Sequence, residues 1–467
     1  MNQKQNYLSL GEDSINRLML RFSIPCVVSL LISSLYNIVD QMFIGNSDLS
    51  TLGNAATGVV FPVFIIAQAF AWSLGDGCAA YLNLYQGKRD DSHAHRALGG
   101  SITTAFLCGL LMIAVIYPIK EPMLCLFGAT ENTLSLAIEY LDIILIMLPF
   151  YILCNMMNSI VRADGSPLWA MTSLLIGAVV NVILDPVFIF GLDMGMTGAA
   201  LATVIGQAAS FVTTLIYLFK PKTFRFTKKS FLPNLTYVKR VAELGISTFI
   251  TQIAIVLVTV LCNVQFAKYG AQSAYGADIP IAVIGIQSKI FTVVINIVVG
   301  VSLGCQPIMS YNMGARNYGR VKELYKKVML FTVATGLVFT ALFELAPLWI
   351  IGMFGVPSNV PNPEAYWEFA EKTMRIFLSL ITGGCAVKSN SILFQSVGKP
   401  VFAVVASMIR DVVCFVPLIF LLPTILPSVE LLLFAAPISD LISLAVTAVL
   451  SVSFIRSLGK QNERKLL

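Results

Sequence analysis

The feature that most constrains this chain is the repetition of long apolar runs along its whole length. A helix needs about 20 consecutive apolar residues to cross the hydrocarbon core of a bilayer, where its backbone polar groups must be satisfied internally. The sequence therefore predicts an all-α membrane protein with twelve transmembrane helices. The runs lie at roughly 22–44, 56–85, 97–119, 134–160, 167–190, 196–219, 241–267, 281–311, 328–352, 372–395, 400–423 and 431–455.

Charged residues are scarce and follow a pattern. The chain is 57% hydrophobic and 12% charged, whereas an ordinary soluble domain is about 25% charged. Lys and Arg collect at the two termini and in alternate connections, and the remaining connections hold Lys120 and Lys268. By the positive-inside rule both termini are expected to be cytoplasmic, in a plasma or inner membrane. The net charge of +6 is thus a topology signal and does not indicate a nucleic-acid partner.

The two halves of the chain resemble each other. Ala163 to Pro167 corresponds to Ser396 to Pro400, and each segment ends one apolar run and opens the next. A basic segment at 220–240 has six runs on either side. We therefore predict an N-terminal six-helix lobe (1–219), a cytoplasmic linker (220–240) and a C-terminal six-helix lobe with a cytoplasmic tail (241–467), as two pseudo-symmetric bundles. Such a pair of bundles is complete, so a monomer is expected.

Asp185 is the only charge between residues 168 and 190. An ionised Asp at bilayer depth costs about 2.5–3.5 kcal/mol on insertion scales, so it indicates a functional site. Asn181 lies one helical turn earlier on the same face, where amide and carboxylate oxygens converge. The pair is typical of half a site for a monovalent cation or a proton.

Asp40 lies near the end of the first run, with Pro25 as a bend point earlier in the same helix. Its carboxylate is either an end group that reaches the interface or a second acid of the site, and the lack of a nearby Lys or Arg favours the second. Thr203, Asn155 and Asn158 add oxygen atoms in the same half. Each of these three could instead join neighbouring helices by hydrogen bonds.

The polar residues within the predicted helices of the second half are mostly basic, unlike the acids and amides of the first half. Lys289, Lys388, Arg410 and Asp411 lie within predicted helices, where they either pair with one another or face a cavity. The nine cysteines are scattered singly and are interpreted as small core residues.

Motifs for other classes of protein are missing from the sequence. There is no phosphate-binding loop, no nucleophile elbow and no H-E-x-x-H helix. We therefore predict a protein that is not an enzyme and carries no cofactor, and whose transport is driven by an ion gradient or by a partner.

These residues carry a resemblance to a known family. Pro25 and Asp40 in the first run, the Asn155 and Asn158 pair before A-D-G-S-P, and N-V-I-L-D-P resemble the MATE (multidrug and toxic compound extrusion) family, in its DinF-like bacterial branch. The resemblance covers about residues 15 to 455. It implies a V-shaped transporter whose cation site, with H⁺ or Na⁺, corresponds to Asp40, Asn181, Asp185 and Thr203. It also implies a supporting network at Asn155 and Asn158 and a helix bend at Pro25.

The expected function is secondary antiport. An organic cation or drug leaves the cell in exchange for H⁺ or Na⁺ by alternating access. Besides this substrate, the expected partner is membrane lipid. The alternative is a flippase for a lipid-linked precursor, which would favour a cavity rich in Lys and Arg. The acids that some relatives carry in the seventh and tenth spans are replaced here by Gln252, Asn263 and Lys388, which argues against a coupling site in the second lobe.

Overall fold

The computed structural model describes residues 9–47, 49–226, 228–276, 278–353 and 362–466. Within these ranges the chain is helical nearly throughout and contains no β-strand. Eleven helices are long and apolar enough to cross a membrane, and a twelfth span is formed by a bent helix pair. The prediction of an all-α protein with twelve spans is confirmed.

The chain forms two compact units. The first unit comprises the described residues up to Gln252 together with Leu303–Asn317 and Gln395–Pro400. The second comprises Ile253–Ser302, Tyr318–Phe394 and the described residues from Val401 onward. The lobe boundaries given above remain a prediction.

Six helices build most of the first unit. Several are far longer than the roughly 30 Å hydrocarbon core requires, because at 1.5 Å per residue about 20 residues suffice. The most extensive packing is between the second and fourth helices, whose facing side chains include Met156, Met157 and Ile160, all buried. The helices are α1 (Ile15–Gly45), α2 (Ser50–Gly87), α3 (Asp91–Leu126), α4 (Glu131–Ala163), α5 (Pro167–Gly191) and α6 (Gly195–Leu218).

Glycines allow backbone-to-backbone contact in this unit. A Cβ atom on Gly245 would lie 1.8 Å from the carbonyl oxygen of Ser73, and one on Gly77 would lie 2.2 Å from that of Val241. Both distances are shorter than any non-bonded contact, so neither position accepts a side chain without moving a helix. Small residues at such crossings let helix axes approach closely, as is common inside membranes.

The residues that follow α6 are packed onto the first unit. The Asp164 carboxylate, in the turn between α4 and α5, accepts hydrogen bonds from the backbone N–H groups of Lys222 (2.7 Å) and Thr223 (2.8 Å) and from the hydroxyl of Tyr217 (2.6 Å). Phe224 is fully buried, and the Thr103 hydroxyl donates to the carbonyl oxygen of Phe231 at 2.7 Å. The first part of the predicted linker therefore belongs structurally to the first unit.

The turn between α2 and α3 is closed by Asp90. Its carboxylate accepts from the backbone N–H of His93 at 3.4 Å and thus caps α3, and it also contacts the His93 ring at 2.9 Å. The hydrogen bond from His93 holds the pKa of Asp90 below its usual range.

The second unit contains the remaining helices, parts of which also contribute residues to the first. The tenth helix bends by 51° between its two pieces. The eleventh is interrupted by a π-helical segment at Ile409–Phe415. The helices are α7 (Leu235–Gly270), α8 (Asp278–Gly314), α9 (Tyr318–Leu345), α10 (Pro363–Phe377 and Ile381–Ser396), α11 (Pro400–Ile425) and α12 (Ala435–Leu466).

Candidate cation site and polar cavity of the first unit

The carboxyl groups of Asp40 and Asp185 lie in direct contact. Asp40 comes from the last third of α1 and is partly buried, while Asp185 comes from α5 and is fully buried. Two carboxylates at such a distance repel each other strongly when both are ionised. The pair is therefore suited to hold one proton between its members or to share one cation.

The amide of Asn181 completes one side of the pair. Its Nδ2 donates to Asp185 Oδ1 at 3.3 Å, which orients the amide oxygen away from that carboxylate. Oδ1 of Asp40, Oδ1 of Asn181 and Oδ2 of Asp185 are all buried and have no hydrogen-bond donor among the described residues. Buried acceptors are almost always satisfied in folded proteins, so three such oxygens in two neighbouring helices fit a bound cation or proton.

Two tyrosines surround the acid pair. The hydroxyl of Tyr140 in α4 lies close to Thr203 and within electrostatic reach of both acids. The hydroxyl of Tyr36, one turn before Asp40, lies close to Gln207. Thr203 and Gln207 both line the polar cavity of the first unit.

The helix that carries Asp185 changes its winding at this point. Residues Val187–Gly191 form a π-helical turn directly after Pro186. π-helical turns are rare and often occur at functional sites, because the wider turn displaces side chains from the regular helical register. The turn occurs here within a few residues of the contact between Asp185 and Asp40.

A polar cavity lies in the first unit next to this site; Asn181, the hydrogen-bond partner of Asp185, lines it, whereas Asp40 and Asp185 do not. Its volume is about 80 Å³, enough for several water molecules or a partly hydrated ion, whereas pockets for drug-sized ligands measure about 300–1,000 Å³. Its wall includes Asn181 and Thr203 as well as Asp76, Asn158 and Arg162. Its polar wall also includes Ser29, Ser33, Tyr36, Gln68, Tyr151, Asn155, Gln207 and Ser210.

Asp76 and Arg162 form an ion pair in the cavity wall. Arg162 Nη2 lies 3.5 Å from Asp76 Oδ1, and the Ser159 hydroxyl bridges the two groups: it accepts from Arg162 at 2.8 Å and donates to Asp76 at 3.0 Å. Asp76 is only 4% exposed. The two charges neutralise each other, and they are the only charged side chains among the described residues that line the cavity.

The two candidate asparagines of α4 have different surroundings. Asn158 is 2% exposed; it donates to the carbonyl oxygen of Ala170 at 2.9 Å and accepts from Arg162 at 2.8 Å, so it joins α4 to α5. Asn155 donates to the backbone of Tyr151 and faces the cavity. Neither side chain bonds directly to Asp40 or Asp185 among the described contacts.

Pro25 lies inside an unbroken α1. The Ser29 hydroxyl donates to the Pro25 carbonyl oxygen at 2.7 Å, in the turn that directly follows the proline. Proline and back-bonding serines both favour helix bending. Cys26 and Ser29 line the cavity next to this turn.

Three of the four polar candidates in the second unit pair with one another. Lys388 Nζ lies 2.6 Å from Asp411 Oδ2, and Arg410 Nη1 lies 2.7 Å from Asp411 Oδ1. Arg410 Nε also contacts Asp440 at 2.6 Å. We call Lys388, Arg410, Asp411 and Asp440 the four-charge cluster. Lys289 lies outside it and is exposed.

Sequence reasoning missed Asp76, Asp440, Tyr140 and the cavity role of Arg162. Asp76 stands alone in the otherwise apolar run S-L-G-D-G-C, as Asp185 does in its own run. A signal was available, since each acid stands alone in an apolar run and so requires a partner.

A bundle of long membrane-spanning helices with a buried polar cavity is the architecture of a membrane transporter. The MatE family model matches residues 25–187 and 248–421, which is most of the chain. The protein thus belongs to the MatE family and is not an enzyme.

Individual proteins agree with this assignment. The chain is 27% identical over 429 residues to the multidrug export protein MepA of Staphylococcus aureus, and the match covers 90% of each protein. Its fold matches a structure described as the outward-facing conformation of a multidrug resistance MATE family transporter, with a TM-score of 0.86, 22% identity and coverage of 97% and 98%. It also matches a MATE structure described as the bent conformation, with a TM-score of 0.87, 20% identity and the same coverage.

Proposed function

We propose that this protein exports organic cations, including drugs, in exchange for H⁺ or Na⁺ bound at Asp40 and Asp185. The observation that carries the proposal is the contact between these two carboxyl groups beside three buried oxygens without donors. The similarity to a multidrug export protein supports the choice of substrate. The protein acts as a monomer in the plasma membrane, with both termini in the cytoplasm.

The mechanism is alternating access. An ion from outside neutralises the acid pair, and because Asp40 is in α1, binding alters the balance between straight and bent forms of this helix at Pro25. The ion drives transport only if it binds one conformation more tightly than the other, since equal binding would shift nothing.

The cavity supports an ion route and argues against a phosphate-bearing lipid. At about 80 Å³ it does not admit a drug-sized molecule in this conformation. Arg162 is the one cationic side chain of its wall, and Asp76 neutralises it. A flippase for a pyrophosphate-linked precursor would need unpaired Arg or Lys groups, so this alternative is not favoured.

The test is transport by purified protein in lipid vesicles. A pH gradient and a Na⁺ gradient are imposed separately, and movement of a fluorescent organic cation is followed. We expect one gradient to drive transport, and D40N and D185N to abolish it. The control D193N alters an exposed Asp and should transport normally. Full gradient-driven transport by both D40N and D185N would refute the proposal.

A further inference from the structure

The two units contain the same internal hydrogen bond at equivalent places. Asn158 donates to the carbonyl oxygen of Ala170, and Ser391 donates to that of Ala403, in both cases from one helix to the next over twelve residues. Donors and acceptors are each shifted by 233 positions, as are Pro167 and Pro400 at the starts of α5 and α11. Residues that are 233 positions apart therefore occupy equivalent places, one in each unit.

The same shift relates the cavity of the first unit to the four-charge cluster of the second. Each member of the cluster falls on a residue that lines the cavity. The second unit thus has two acids and two cations where the first has small or neutral side chains. Lys388 matches Asn155, Arg410 matches Gly177, Asp411 matches Ala178 and Asp440 matches Gln207.

The cluster is closely packed. Both oxygens of Asp411 contact a cation, at 2.6 and 2.7 Å, and the Arg410 guanidinium lies over the ring of Phe291 at 5.1 Å. A Cβ atom on Gly384 would lie 3.1 Å from Arg410 Nε and 3.3 Å from Asp440 Oδ1. The net charge of the four groups is zero only because Lys388 contributes its ammonium.

We propose that Lys388 is a tethered cation that permanently fills a monovalent-cation site formed by Asp411 and Asp440, so that the second unit does not exchange ions. Without the ammonium, Arg410 alone faces two buried carboxylates and one negative charge is uncompensated. A buried charge without a partner is strongly unfavourable and recruits a counter-ion. Removal of Lys388 should therefore expose a site for a small cation such as Na⁺.

This inference rests on the proposed function only where it assigns ion exchange to the first unit. The claim that Lys388 fills a cation site is tested by thermal unfolding, which does not require transport activity. Full-length protein in detergent is held at constant, mildly alkaline pH and constant ionic strength, with choline replaced stepwise by Na⁺. The readout is the midpoint of thermal unfolding of wild type, K388M, K388R and K388M/D411N.

We expect Na⁺ to raise the midpoint of K388M by about 3 °C or more, relative to its effect on wild type, once Na⁺ reaches about ten times its dissociation constant. K388R keeps the cation and K388M/D411N restores zero net charge, so both should respond to Na⁺ as wild type does. A K388M protein with the wild-type Na⁺ response would overturn the proposal.

Transport provides a second, independent arm that remains available if K388M alone does not fold. K388M/D411N should retain gradient-driven export in vesicles, because a filled site that does not exchange ions can be replaced by neutral groups. Loss of export by a folded double variant would place the cluster in the ion-exchange machinery and contradict the proposal. Failure of D40N and D185N to impair export would refute only the proposed function, since the Na⁺ response of K388M does not depend on it.

Discussion

Replacement of Arg162 with methionine tests whether Asp76 needs its partner. In the native protein Arg162 bonds to Asn158 and Ser159, both at 2.8 Å, and neutralises Asp76. The methionine side chain keeps much of the apolar stem but removes the charge. Asp76 would then retain the Ser159 hydroxyl at 3.0 Å and a weak contact with Thr248 at 3.5 Å.

The size of the effect follows from burial and distance. Loss of one partner of a buried ion pair costs about 3–5 kcal/mol. Because Arg162 and Asp76 are 3.5 Å apart and lie beside a polar cavity, we expect a loss of stability at the lower end of this range, about 3 kcal/mol. For a unit of this size each kcal/mol corresponds to about 2–4 °C, so R162M should unfold at least about 6 °C below wild type. In R162M/D76N the buried charge is gone, and most of the loss should be recovered.

The assay is thermal unfolding in detergent, followed by intrinsic fluorescence. Trp72 lies in the cavity wall and reports on this region directly. R96M, which alters an exposed arginine of α3, controls for the loss of a surface charge. If R162M unfolds within about 1 °C of R96M, or if the double variant is no more stable than R162M, the ion-pair reasoning is wrong.

Three further predictions concern the supports of the site. D164N should lower the unfolding midpoint relative to the control D193N, because an amide cannot accept both backbone N–H groups of Lys222 and Thr223, and a buried unsatisfied donor costs about 1–3 kcal/mol. G245A should reduce the folded yield in size-exclusion chromatography, since the new methyl would lie 1.8 Å from the Ser73 oxygen; G58A, with open space around it, should not. The pKa of Asp90 is lowered in the fold, so its capping contribution should persist above pH 3.8 and disappear as the pH falls below that value. The thermal stability of D90N measured against pH should lack this acid-side loss, and equal acid sensitivity of both proteins would contradict the assignment.

The fold was predictable because few kinds of backbone structure can cross a lipid bilayer. Apolar length fixes the number of helices, and the number of helices with their repeat fixes the fold class. Local irregularities were not predictable in the same way. The 51° bend in α10 and the π-helical turns depend on packing between segments distant in sequence, and no periodicity in the sequence encodes them.

The site was predictable in part, for a related reason. Asp185 and Asp40 stand out because an acid in an apolar run is costly, and their contact followed from the hypothesis that they share a ligand. The pairing of Asp76 with Arg162 joins two helices and needs three-dimensional information. The same holds for Lys388 with Asp411. The choice between a paired charge and one that faces a cavity could not be made from spacing alone.

The attachment of the linker to the first unit has a mechanical consequence. Asp164 holds the chain at Lys222 and Thr223, and a single residue, Ala163, separates Asp164 from Arg162 in the cavity wall. A force or a binding event on residues 222–226 therefore acts on the turn that positions Arg162. An antibody fragment raised against this basic segment would modulate transport from outside the membrane core, without ever entering the route taken by ion or drug.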